Sequence, residues 1–251
     1  WAEAGVDAAV EDAPVDKLKP RQPPPQRPPA RSVVAPTIRA PAAPDLADAV
    51  QAARAAAEAA ADLESLAAAA RQFGGGQSAR DDAPSVWLRA DDATDVVVLG
   101  GAPGEAEARA GAAFAGPEGR LLDRMLASVG LNGRALRLHA WFWAKPGSEP
   151  PTAEEAALVR PFVDRALALA QPKAALLLGD QPTRLWLGRD EGFLRLRGQA
   201  LAYPRTDGQP PLPAVITFHP GLLLRQVLAK KQAWRDLLTL KERVAGSNDA
   251  P

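Results

Sequence analysis

The sequence contains no cysteine, and this one absence excludes several kinds of chemistry. Without a thiol the chain forms no disulfide, binds no metal through thiolates, holds no iron–sulfur cluster and uses no cysteine nucleophile. The composition is compatible with the reducing cytoplasm, where we expect the protein to be located. We also expect it to need neither a metal ion nor another cofactor.

The chain also lacks an excess of charge and any long apolar run. It has 30 Lys and Arg against 30 Asp and Glu, so its overall charge gives no sign of nucleic-acid binding. We find no apolar run of about 18 residues and no basic-then-apolar leader, and therefore expect neither a transmembrane helix nor a secretory signal.

Basic residues are nevertheless concentrated near the C-terminus. This pattern is compatible with a DNA-binding face or with the solvated surface of a helix. The basic residues concerned are Arg195, Arg197, Arg205, Arg225, Lys230, Lys231, Arg235, Lys241 and Arg243.

Composition divides the chain into four parts. Pro, Ala and Arg dominate the first, which predicts a tether, or an arm that docks a protein partner or searches DNA. The second is Ala-rich and helical, with a break near Asp62 and an end at Gly74. The predicted parts are a disordered arm (1–44), a helical lead-in and loop (45–89), a folded domain (90–244) and a flexible tail (245–251).

Short apolar runs alternate with helical segments inside the domain. The runs are 94–100, 136–143, 174–179 and 214–218. This alternation predicts an α/β fold whose parallel sheet has helices on both faces. Ligands bind such sheets where loops leave the carboxyl ends of the strands. The loops to inspect are therefore 100–116, 144–151, 180–183 and 219–224.

Two of these loops carry residues suited to ligand or DNA contact. Gly100 begins a glycine-rich turn with accessible backbone N–H groups, although it matches no nucleotide-phosphate motif. His219 follows the last apolar run, and its position alone is compatible with a structural or a functional role. Residues 222–224 are leucines followed by Arg225, which fits insertion into a base stack beside a phosphate. The alternative is a helix start whose leucines reach the core.

Four motifs in these segments resemble those of the family 4 uracil-DNA glycosylases. GGAPGEAEARAGAAFAGPEGRLLDRML resembles the family's GEAPG motif, acidic pair and PFVGxxGxLLDxML. FHPGLLLR resembles HPAYLLR, while KPGSEPPTAEE and VRPFV resemble PPGNRTPTPEE and CRPFL. The motifs occur in the family's order and cover most of residues 94–240. The resemblance implies a three-layer α/β/α sandwich with a four-stranded parallel sheet.

The resemblance also implies a reaction. Enzymes of this family flip uracil out of DNA, stack it on an aromatic ring and cleave its N-glycosidic bond in base-excision repair. The substrate implied here is DNA containing uracil or another deaminated base, and we expect the enzyme to be a monomer. In the matched roles, Phe114 stacks on the base, His219 bonds uracil O2 and Glu107 positions water or stabilises the cationic sugar.

The full set of site residues follows from the same motifs. The catalytic pair is Glu107 and His219, and no metal ligand is expected. The base-binding set is Gly101, Ala102, Pro103, Gly104, Phe114 and His139. The DNA-binding set is Ser148, Pro220, Leu222, Leu223, Leu224 and Arg225, in which the leucines form a wedge.

Several positions depart from the family pattern. Gly101 replaces the Glu of the GEAPG motif, and Ala108 replaces the second residue of the acidic pair. Ser148 and Glu149 replace the Asn and Arg of the PPGNR motif. His139 stands where the family has the Asn that reads the uracil edge. Asn presents a donor and an acceptor side by side, whereas neutral imidazole has them on opposite sides of its ring. The family's cluster-ligand positions fall near Gly76, Trp143 and Val159.

Three hypotheses remain open from the sequence. The chain is a cluster-free glycosylase that excises uracil or a related deaminated base, or it is a DNA- or partner-binding module that kept the fold and lost turnover. A third hypothesis is an interaction protein that uses the Pro-rich arm and the Ala-rich helix.

Overall fold

A mixed six-stranded sheet organises the protein. The computed structural model describes residues 46–73, 86–142, 149–189 and 191–246. The strand order across the sheet is β1-β3-β2-β4-β6-β5. The strands are β1 (Leu88–Ala90), β2 (Val96–Leu99), β3 (Ala135–Leu138), β4 (Ala174–Leu178), β5 (Leu201–Tyr203) and β6 (Leu212–Thr217).

The four central strands are parallel to one another, as the alternation of apolar runs predicts. All residues of β2, β3 and β4 are buried, which is the pattern of parallel strands covered on both faces. The prediction of a four-stranded sheet is incomplete, because β1 and β5 each add an antiparallel strand at one edge. Each edge strand has only three residues, too few to give a clear periodic signal.

Helices cover both faces of this sheet. Alternate residues of β2 divide between two cores, so that Val97 and Leu99 meet one layer while Val96 and Val98 meet the other. The fold is therefore the expected three-layer α/β/α sandwich. The helices are α1 (Leu46–Glu58), α2 (Leu63–Gln72), α3 (Glu105–Ala110), α4 (Gly116–Ser128), α5 (Ala153–Ala170), α6 (Asp180–Leu187), α7 (Phe193–Leu196), α8 (Pro220–Arg225) and α9 (Lys230–Gly246).

The Ala-rich lead-in is two helices packed against α5. The break falls where it is predicted, because Asp62 caps α2 by accepting a hydrogen bond from the Ser65 N–H at 2.7 Å. Ala53 and Leu66 are fully buried in the core shared with α5. Small side chains on α1 thus allow this helix to pack closely against α5.

Parts of the predicted organisation lie outside the described residues. The arm at 1–44 and the loop at 74–85 belong to this group. Helix α9 continues to Gly246, and the rest of the predicted C-terminal tail, 247–251, also lies outside them. Within the described ranges, no helix is both long and apolar enough to cross a membrane.

Candidate functional site

A cavity of about 330 Å³ opens at the carboxyl ends of β2, β4 and β6. Three of the four loops selected from the sequence converge on it, and residues 144–148 of the fourth lie outside the described residues. This is the expected place for a ligand in a parallel sheet. The lining residues are Gly101, Ala102, Gly104, Glu107, Glu118, His139, Leu178, Gly179, Asp180, Gln181, Pro182 and His219.

Glu107 lies at the start of α3, directly after the glycine-rich turn. Its Oε2 accepts a hydrogen bond of 2.5 Å from the Gly104 N–H, and its Oε1 lies 3.2 Å from Nε2 of His139. That Nε2 has no hydrogen-bond partner among the described residues, so its contact with Glu107 is electrostatic and becomes an ion pair when the ring is protonated. Burial raises the pKa of the Glu107 carboxyl, but His139 and the Gly104 N–H outweigh it and hold that pKa below its usual value.

His139 forms the aromatic wall of the cavity. Its ring stacks on Phe114 with centroids 4.1 Å apart and planes 10° apart. Its Nδ1 lies 3.1 Å from the carbonyl oxygen of Gly101. With Glu107 near the other nitrogen, both polar atoms of this ring already face protein groups. His139 is therefore poorly placed to read the edge of a base.

Phe114 lies one layer deeper than the resemblance implies. It is 5% exposed, belongs to the core and does not line the cavity. Its backbone is left-handed, with φ of +54°, and its carbonyl oxygen would be only 1.5 Å from a Cβ at Gly119. Glycine at 119 therefore permits the close approach that sets the ring beneath His139. The imidazole of His139, and not the phenyl ring of Phe114, therefore lines the cavity.

His219 caps α8 from the end of β6. Its Nδ1 accepts a hydrogen bond from the Gly221 N–H at 3.2 Å. Neutral imidazole has one acceptor and one donor, so the proton is then on Nε2 and that atom is a donor. Burial lowers the pKa of His219, whereas the Glu118 carboxylate, 3.8 Å from Nδ1, opposes the shift. Because 42% of the side chain is exposed, solvent moderates the shift, and neutral His219 prevails near pH 7.

Three polar residues that line the cavity were missed by sequence reasoning. They are Glu118 on α4 and, on α6, Asp180 and Gln181. Loop 180–183 was selected for inspection, but none of its residues matches a family motif. For Asp180 and Gln181, the sequence signal was their position, because α6 begins immediately after β4.

The other residues predicted to bind the base or DNA differ in whether they line the cavity. Gly101, Ala102 and Gly104 line the cavity, while Pro103 is buried and does not. Ser148, predicted to contact DNA, lies outside the described residues.

The predicted leucine wedge is only partly exposed. Leu223 is buried in the core, Leu222 is partly buried and packs against it, and Leu224 is 42% exposed. The preceding Pro220 is also buried. The three leucines therefore do not form one wedge, because a helix turns successive side chains to different directions.

Exposed apolar side chains follow immediately after α8. Val227 and Leu228 are 65% and 92% exposed on the turn that joins α8 to α9. Arg225 and Lys230, on either side of them, are exposed cations. This arrangement of apolar tips between cations was not predicted, although it is the kind of surface that enters a base stack beside phosphates.

The basic C-terminal segment serves two purposes. Arg197 forms a bidentate ion pair with Asp236 and stacks on Phe218 at 4.2 Å, so it is a structural residue. Arg205 likewise pairs with Asp207. Other cations of this segment are exposed and suited to phosphate contact: Arg195 on α7, Arg225 on α8, and Lys230, Lys231, Arg235 and Lys241 on α9.

The residues present do not fit an iron–sulfur cluster. The chain has no thiolate, and Val159 at one of the matched ligand positions is fully buried in the core. The other two positions, Gly76 and Trp143, lie outside the described residues. Among the residues that are described, no group of three or more His, Asp or Glu could hold a metal ion.

Comparison with known proteins places the sequence in a family. The sequence model of the uracil DNA glycosylase superfamily matches residues 89–238. A type-4 uracil-DNA glycosylase of Thermotoga maritima is 28% identical over 134 residues, covering 53% of this chain and 67% of that protein. Type-4 enzymes of Sulfurisphaera tokodaii and Pyrobaculum aerophilum are each 24% identical, covering 59% and 57% of this chain and 69% and 74% of their own.

Proposed function

The chain belongs to the uracil DNA glycosylase superfamily, and on that basis we propose that it flips uracil or a related deaminated base out of DNA and excises it in base-excision repair. One observation carries the proposal. Glu107 and His219, which are 112 positions apart in the sequence, line the same cavity at the carboxyl ends of the parallel strands. The cavity volume is near the lower limit of about 300 Å³ for small-molecule sites, which suits a single base.

His219 acts on the leaving base. Its Nε2–H donates to a carbonyl oxygen of uracil, where negative charge develops as the C1′–N1 bond breaks and its electron pair moves to the base. The backbone bond from Gly221 fixes this tautomer before the substrate arrives. A prearranged donor of this type accounts for a rate factor of about 10²–10³.

Glu107 acts on the sugar. Its lowered pKa keeps the carboxylate ionised at neutral pH, so it stabilises the cationic sugar electrostatically and orients a water molecule. Water adds its oxygen to C1′ and releases a proton, and the base departs as an anion that is protonated by solvent. The low basicity of Glu107 favours orientation of water over full proton abstraction.

His139 supports the face of the extruded base. Its imidazole lines the cavity, and Phe114 holds that ring from behind. The exposed turn at Val227 and Leu228 fills the space that the base leaves in the duplex, while Arg225 and Lys230 contact the flanking phosphates.

A single-turnover assay on uracil-containing single- and double-stranded oligonucleotides tests this function. We expect release of uracil by the wild type and a loss of about 10²-fold or more in His219→Ala, with little change in DNA affinity. Thr239→Ala, at a partly buried position on α9 that does not line the cavity, is the control variant and is purified in the same way. Absence of base release from every substrate by the wild type contradicts catalysis.

One observation favours a second function, that of a binding module without turnover. His139 covers the ring of Phe114 and also contacts the carboxylate of Glu107. The two residues that the family motifs match to base stacking and to catalysis are thus both in contact with His139. In that case DNA binding decreases steeply with salt while no base is released. The same assay, combined with a binding titration at two salt concentrations, distinguishes the two functions.

A further inference from the structure

We propose that Gln181 is the residue that reads the base in this cavity and that it selects bases carrying a carbonyl group where cytosine and adenine carry an amino group. This inference rests on the proposed function and names the substrate class of the same site. It assigns to α6 a task that the resemblance places on β3.

His139 is already in contact with protein groups on one face and near both nitrogens. Its ring is 3% exposed, stacks on Phe114 and has protein groups near both nitrogens. A base that approaches through the cavity meets the face of this ring. Selection by hydrogen bonds along the base edge therefore needs another side chain.

Gln181 meets that need. Among the described residues that line the cavity, it is the one carboxamide. A carboxamide offers a donor and an acceptor side by side, which is the arrangement that pairs with the edge of a base. His219 provides one more donor from the neighbouring loop.

The glycine at 101 makes room for this amide. An added Cβ there would lie 2.1 Å from Oε1 of Gln181, well inside van der Waals contact. The matched family motif has a Glu at this position, just after β2, and its side chain would need the space that the Gln181 amide takes here. The departure from the family pattern at Gly101 thus has a structural explanation.

The orientation of the amide determines which bases it accepts. Oε1 accepts a hydrogen bond from the Ala102 N–H at 3.4 Å, so Nε2 is the other, donating arm. In the described part of the chain, the structure records no protein acceptor for that Nε2. It donates to a base carbonyl such as uracil O4, and the second lone pair of Oε1 accepts the ring N–H. Cytosine places an amino donor opposite Nε2, and two donors cannot pair.

Two measurements test the proposal with the full chain. The first is single-turnover excision of uracil, and the second is the ratio of dissociation constants for oligonucleotides carrying 2′-fluoro-deoxycytidine and 2′-fluoro-deoxyuridine, in which the fluorine slows cleavage. We expect Gln181→Leu, which retains volume, to decrease excision about 10- to 100-fold and to bring the ratio close to one. Gln181→Glu lowers the ratio as well, because a carboxylate repels the base carbonyl.

A double-mutant cycle adds a readout that a merely structural role would not change. Gly101→Ala displaces the amide and reproduces the Gln181→Leu phenotype, but it has little further effect in a Gln181→Ala background. Gln199→Leu makes the same chemical change on the surface and leaves both measurements at wild-type values. Melting temperatures of all variants identify any loss due to misfolding.

The outcomes separate this inference from the proposed function. If the wild type excises uracil and Gln181→Leu does so at the same rate and with the same selectivity, the inference is wrong and the proposed function stands. Absence of excision with a Gln181-dependent preference for uracil overturns catalysis and supports the inference. If the wild type neither excises uracil nor prefers it over cytosine, both are wrong.

Discussion

His139→Asn is the most informative single change in this protein, because it is expected to lower stability and to raise base affinity at the same time. The imidazole now covers Phe114 at a centroid distance of 4.1 Å, and Nε2 lies 3.2 Å from the Glu107 carboxylate. Asn is smaller than His and carries no charge. Its introduction uncovers one face of the phenyl ring and removes the partner of Glu107.

The expected magnitudes follow from these contacts. Loss of the aromatic stack lowers the free energy of unfolding by about 0.5–1.5 kcal/mol. Loss of the Glu107 contact, taken as an ion pair worth about 1 kcal/mol, brings the total to about 2 kcal/mol. For a domain of this size that corresponds to a decrease of ~4–8 °C in Tm. A base stacked on an aromatic side chain gains about 1–3 kcal/mol, part of which replaces the contact with imidazole. We therefore expect uracil-containing DNA to bind about 5- to 30-fold more tightly.

Two measurements on the same preparations check the prediction. Thermal unfolding gives the change in stability, and fluorescence anisotropy with a 2′-fluoro-deoxyuridine oligonucleotide gives the change in affinity. His139→Ala is the matched control, because it uncovers Phe114 without adding an amide. His139→Asn combined with Phe114→Ala removes the newly exposed ring.

The reasoning is refuted if His139→Asn lowers base affinity in parallel with Tm. It is also refuted if the gain in affinity persists when Phe114 is removed as well. Either result would mean that the imidazole is itself the preferred surface for the base.

Three further predictions test the site and its rim. Because the pKa of His219 is lowered from 6.5 in the folded chain, the unfolded chain binds more protons between the lowered pKa and 6.5, so stability should decrease as pH falls through that window and level off below it. Protonation of Nδ1 breaks its bond from the Gly221 N–H, so kcat/KM should decrease as pH falls through the lowered pKa, and this limb of the pH–rate profile should be absent in His219→Gln. Glu107→Gln retains the bond to the Gly104 N–H but loses its charge, so single-turnover excision should fall about 10²-fold, and an unchanged rate would remove Glu107 from the mechanism. Leu228→Ala should weaken binding to double-stranded DNA more than to single-stranded DNA and should change stability by less than about 0.5 kcal/mol. Leu46→Ala, which removes an exposed leucine on α1, should leave both DNA affinities unchanged in the same titrations.

Much of the fold could be predicted from local patterns. The runs that became β2 and β4 are apolar throughout because both of their faces are covered, and α5 begins at a Thr152 cap that pairs with Glu155. The edge strands could not be predicted in this way. Leu88–Ala90 and Leu201–Tyr203 are too short for a periodic signal, and their pairing depends on neighbours distant in sequence.

The candidate site was predictable only where a motif determines a position in the chain. The motifs identified Glu107 and His219, which the fold brings to one cavity. They could not predict that Phe114 would be covered, because that depends on a histidine 25 positions later turning its ring onto the phenyl. They also assigned to Leu223 a surface role, although helix α8 turns this side chain into the core.

The sequence by itself determined the central strands, their alternation with helices and the absence of thiolate chemistry, because these properties depend on composition and on spacing over a few residues. Only the tertiary structure decided which side chains face the cavity. Strand order places β4 beside β2, and that neighbourhood brings Gln181 against Gly101 across a separation of 80 positions. Contacts of this kind depend on where whole strands pack and on the space that each neighbour leaves, and neither quantity can be read from a local pattern.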